Sequence, residues 1–69
     1  MKALSGRELA RILERRGWTL LRVRGSHHVY GKPGTRLHIA IPIHGNRSLK
    51  AGMLRDMLKA AGLRDLDLE

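Results

Sequence analysis

The chain has no cysteine and no phenylalanine, and it holds a single tryptophan and a single tyrosine. Without thiols it can build neither a disulfide framework nor a zinc–thiolate site. No apolar run approaches the ~20 residues that would span a bilayer. The opening stretch, MKALSGREL, is too polar for a signal peptide, so the expected location is the cytoplasm. Sixty-nine residues leave no room for a second core, and the expected organisation is one domain over residues 1–69. Acid is also scarce. Six Asp and Glu stand against fourteen Lys and Arg, a net charge of +8. Asp65, Asp67 and Glu69 all fall in the last five residues, so residues 1–64 carry fourteen bases and only three acids.

A small domain with that balance attracts polyanions. Nucleic acid is the first partner to consider, and an acidic protein the second. Ten of the fourteen bases are arginine, the residue suited to bidentate phosphate contacts. A membrane surface is disfavoured, because no segment joins a basic helical face to a large aromatic or leucine face.

Ser5-Gly6-Arg7-Glu8 has the form of a capping box, and Leu9, Ile12 and Leu13 then recur at helical spacing. The first helix is expected over 6–16, closed by Gly17. Trp18–Arg24 is rich in strand formers. Gly25-Ser26 suits a type II′ hairpin turn, with glycine first. His27–Lys32 is the second strand. In 36–43, Leu37, Ile39, Ile41 and Ile43 alternate with Arg36, His38, Ala40 and Pro42, which marks the third strand. Ser48 is a candidate N-cap. Leu49, Met53, Leu54, Met57, Leu58 and Ala61 set out a second helix over 49–61, ended by Gly62. Residues 63–69 read as a short, half-ordered acidic tail.

The order α-β-β-β-α, with tight turns between strands, predicts an α+β two-layer sandwich. A three-stranded antiparallel sheet carries both helices on one face, as in a double-stranded-RNA-binding domain. Alternation then assigns side chains to faces. Leu37, Ile39, Ile41, Ile43 and Val29 are expected in the core, with Leu21 and Val23. That leaves His28, Tyr30, Arg22, Arg24 and His38 on the open face of the sheet. A one-residue slip in the second strand would exchange His28 for His27.

Imidazole titrates near neutrality and can take or give a proton there. Arginine holds phosphate, and tyrosine can stack on a base. RNA carries its own nucleophile, the 2′-OH, so cutting it requires only proton transfer and charge stabilisation. Arg22, Arg24, Ser26, Tyr30, Lys32 and His38 are the expected RNA contacts. No metal site is expected: His27 and His28 point to opposite faces, and His28 with His38 lacks a third ligand. His44 reads as a loop residue, and Arg7, Arg11 and Arg15 as a solvated helix face. A basic RNA-binding module without catalysis is the alternative.

Gly17-Trp18, Arg22, Gly25-Ser26-His27-His28-Val29-Tyr30, Ile41-Pro42 with His44, and Leu49-Lys50 through Gly52-Met53-Leu54-Arg55 to Leu58-Lys59-Ala60-Ala61-Gly62-Leu63 resemble the HicA (YcfA-like) toxin family. The resemblance covers residues 3–63. It implies a double-stranded-RNA-binding-like fold and a toxin that cleaves mRNA without a metal or other cofactor. It also implies His28 as the catalytic histidine, positioned by Gly25 and Ser26. The implied partner is a HicB-like antitoxin that covers the histidine. The acidic tail departs from the family pattern.

Overall fold

The computed structural model describes residues 3–68. Helix α1 (Gly6–Arg15) is followed by β1 (Thr19–Arg24), β2 (His27–Gly31) and β3 (His38–Pro42). Helix α2 (Ala51–Ala61) and a 3₁₀ turn (Asp65–Leu68) complete the order. The strands form one antiparallel sheet in the order β1-β2-β3, giving the α+β arrangement expected from the sequence.

The capping box forms in full. The Glu8 backbone N–H donates to Ser5 Oγ at 3.1 Å, and the Ser5 N–H donates to Glu8 Oε1 at 2.9 Å. Leu9, Ile12 and Leu13 of α1 meet Ile39 and Ile41 of β3 and Leu54 and Leu58 of α2 in one core, joined by Leu4, Trp18, Tyr30, Leu49 and Leu68. The first turn of α1 lies hard against the end of β3. A Cβ at Gly6 would collide with the Pro42 carbonyl oxygen, so only glycine permits this approach.

Helix α2 begins later than its apolar stripe predicts. Its N-cap is Lys50, not Ser48. The chain before it stays extended because Ser48 bridges to Ser5 and the Leu49 N–H donates to the Leu4 carbonyl at 2.7 Å. Leu49 is thereby buried outside the helix. Leu37, assigned to the core by alternation, precedes β3 and is exposed.

The C-terminal tail is part of the fold. Leu68 is buried in the core, and Asp67 pairs with Arg16 at 2.6 Å. Asp67 also accepts the Arg64 N–H at 2.8 Å. Glu69 lies outside the described residues.

The register of the sheet decides which side chains share a face, and it corrects the sequence reading. Tyr30 pairs with Ile39 and His28 with Ile41, so both point toward the helices. Val29 is buried but pairs with Ala40 and stands on the opposite face, outside the core cluster. The cause lies in β2 itself. In His-His-Val-Tyr-Gly either phase offers one sizeable apolar group, and the aromatic ring fills more of the space beneath α1 than valine can. In β1 the register shifts between Leu20 and Arg22, a bulge that inserts Leu21. Leu20 and Val23 therefore lie on the helix side, opposite Tyr30 and His28. Arg22 and Arg24 lie on the open face, opposite Val29 and His27. Leu21, expected in the core, lies over Gly31 on the open face.

Candidate functional site

The β1–β2 hairpin turns through Gly25, with φ 59°, and Ser26, whose φ is negative. That sign pattern belongs to the type II′ turn read from the sequence. The turn is held from the side by the Ile43 N–H, which donates to the Ser26 carbonyl at 2.8 Å. His28, two residues beyond the turn, is thus fixed between Val23 of β1 and Ile41 of β3.

His28 is half-buried and lines an open groove of about 560 Å³ between α1 and the hairpin end of the sheet. Arg7, Ala10, Arg11 and Glu14 of α1 form one wall. Leu20, His28 and Tyr30 form the other, and Ile43 and Gly45 close one end. Arg7 and Arg11 are one helical turn apart, as are Ala10 and Glu14, which explains how four α1 residues reach one groove. Tyr30 is buried, and its hydroxyl donates to Glu14 Oε2 at 2.7 Å. Burial raises the Tyr30 pKa to about 12, reinforced by the hydrogen bond to Glu14 and by its charge. The phenol is therefore a fixed hydrogen-bond donor at neutral pH.

The site read from the sequence is divided by this geometry. His28 and Tyr30 share the groove, while Arg22, Arg24 and His38 stand on the other face of the sheet. These arginines cannot hold charge beside His28. Lys32 follows the far end of β2 and lines separate grooves with Pro33 and Thr35. Ser26 is half-buried in the turn. His44 lies outside the groove, beside Arg47 and Ser48. Among the described residues, no three of His, Asp or Glu gather as metal ligands.

Arg7, Arg11 and Glu14 are the groove residues that the sequence reading left on a solvated helix face. The sequence reading placed Tyr30 on the open face and so gave no signal for Glu14, which lies in the last turn of α1 and accepts from the Tyr30 hydroxyl.

The sequence profile of the HicA toxin of bacterial toxin–antitoxin systems matches residues 6–63. The chain belongs to the HicA toxin family. Every residue lining the groove falls inside the matched span of this HicA toxin, whereas Arg64–Glu69 falls beyond it. A HicA protein is the toxin of its pair, so the chain has a toxin role and an antitoxin partner. No curated protein matches the chain. No helix among the described residues of this HicA chain is long and apolar enough to cross a membrane.

Proposed function

We propose that this toxin is a metal-independent endoribonuclease that cuts mRNA in the cytoplasm, with His28 moving the proton and a HicB-like antitoxin as its partner. The observation that carries this reading is a single groove joining a histidine to two arginines, Arg7 and Arg11. The reaction needs no group that the chain lacks. The 2′-oxygen attacks the adjacent phosphorus as its proton leaves, and the P–O5′ bond breaks as a proton reaches O5′. The products are a 2′,3′-cyclic phosphate and a 5′-hydroxyl. His28 serves one end of this displacement, taking the 2′-OH proton or supplying the O5′ proton, and solvent water exchanges the proton at the other end. Arg7 and Arg11, on the facing wall, hold the charge that builds on the phosphoryl oxygens. The Tyr30–Glu14 pair keeps that wall in place against β2.

The test is cleavage of a defined RNA by the purified toxin with EDTA present. Cutting that persists in EDTA, ends in a cyclic phosphate and stops with His28→Ala is the expected result. A 2′-O-methyl group at the cut position should block cleavage there, because the attacking oxygen is gone. Continued cutting of that methylated RNA overturns the internal-attack mechanism.

A further inference from the structure

Strand β1 is exposed along all six of its residues. It is the outer strand of the sheet, with a partner on only one side. The described residues leave five large apolar side chains exposed. Three of them fall within four consecutive positions of β1: Leu20 at 41%, Leu21 at 47% and Val23 at 52%. Apolar side chains clustered along an unpaired strand edge mark a place where another chain pairs. The opposite edge is shorter, and it ends at Pro42, which has no N–H to offer.

The charge on β1 selects the occupant. Arg22 and Arg24 share the open face, and no acid lies within β1. A second copy of the chain is disfavoured, because each copy carries +8. Antiparallel self-pairing centred on Arg22 or Val23 would also set arginine against arginine. RNA suits the edge poorly. Its exposed apolar side chains, Leu20, Leu21 and Val23, are aliphatic and offer no ring for a base to stack on, while its unpaired backbone edge suits another peptide strand.

We infer that the free edge of β1 is the docking strand for the antitoxin, which adds an extended segment to the sheet. That segment sets apolar side chains beside Leu20 and Val23 and carboxylates beside Arg22 and Arg24. Leu20 lines the His28 groove, and Val23 stands directly across from His28. A segment seated there therefore lies along the groove's own wall and can obstruct it. The inference rests on the family's antitoxin partner and not on the ribonuclease reading. It reassigns Arg22 and Arg24 from RNA to the antitoxin.

Hydrogen exchange on the toxin alone, and on its complex with its antitoxin, tests strand addition directly. In the free toxin the β1 amides that do not face β2 should exchange quickly. In the complex those amides within Thr19–Arg24 should slow at least tenfold. The pair Arg22→Glu with Arg24→Glu, shown to be folded by circular dichroism, should weaken the complex at least tenfold. Leu20→Lys with Val23→Lys should weaken it similarly, through the other face of the strand. The inference fails if these amides exchange equally fast in a complex that has formed. It fails equally if they slow in the toxin alone as its concentration rises, which would make a second copy the occupant. Protection by a single-stranded RNA oligonucleotide but not by the antitoxin also overturns it. RNA cleavage by the free toxin decides the ribonuclease reading separately.

Discussion

Tyr30, on the central strand, donates a 2.7 Å hydrogen bond to Glu14 on the first helix, sixteen residues earlier in the chain. This bond ties β2 to α1 within the groove that His28 lines. The chain has one tyrosine, so its titration can be read without interference. The phenolate ultraviolet band should rise near pH 12 instead of near the ordinary value of 10.0. Glu14→Gln should lower that midpoint, since it removes the negative charge. The sign for stability follows. The raised pKa contributes stability that is fully present below the ordinary tyrosine value, and it is lost as pH rises through about 12. A midpoint unchanged by Glu14→Gln would show that burial alone sets it.

The groove separates arginines by role. His28→Ala should lower cleavage by a factor of about 10²–10⁴, the usual size for general acid–base catalysis. Arg7→Ala and Arg11→Ala should lower the single-turnover rate at saturating RNA. Arg22→Ala and Arg24→Ala, on the other face of the sheet, should leave that rate unchanged. Equal losses from both pairs would mean that RNA reaches across the sheet.

Gly6 meets the Pro42 carbonyl with no space for a methyl group. Gly6→Ala should destabilise the fold by about 3 kcal/mol, at the upper end for overpacking, because the obstacle is backbone and cannot rotate aside. At Gly31 the nearest obstacle is the mobile end of Leu21, so Gly31→Ala should cost less. Urea unfolding of the two variants measures the difference.

The tail should contribute to stability in a pH-dependent way. Leu68→Ala should cost about 2–3 kcal/mol, as for other buried leucines. The Arg64 N–H, with Arg16 adding its charge, holds the Asp67 carboxyl below its ordinary range. The contribution from Asp67 is therefore present above the ordinary aspartate value and lost as pH falls through the lowered one. Unfolding curves at stepped acid pH should show this loss in the native chain and not in Asp67→Asn.

Local pattern alone determined much of this protein. The capping box at Ser5–Glu8, the glycine-first turn at Gly25-Ser26 and the alternation through Ile39 and Ile41 are each written within a few residues. Each sets backbone geometry without help from distant parts of the chain. Element order and the antiparallel sheet were legible for that reason. The face on which His28 stands was not. Period-two alternation gives the phase of a strand only when one set of alternate positions is clearly more apolar. His-His-Val-Tyr-Gly has no such set, and the adjacent Leu20 and Leu21 conceal a bulge. Pairing with β3 and the space beneath α1 decided the matter, turning Tyr30 and His28 toward the helix and Val29 away. The same packing brought Arg7, Arg11 and Glu14 to the groove, across a separation in sequence that no local pattern encodes.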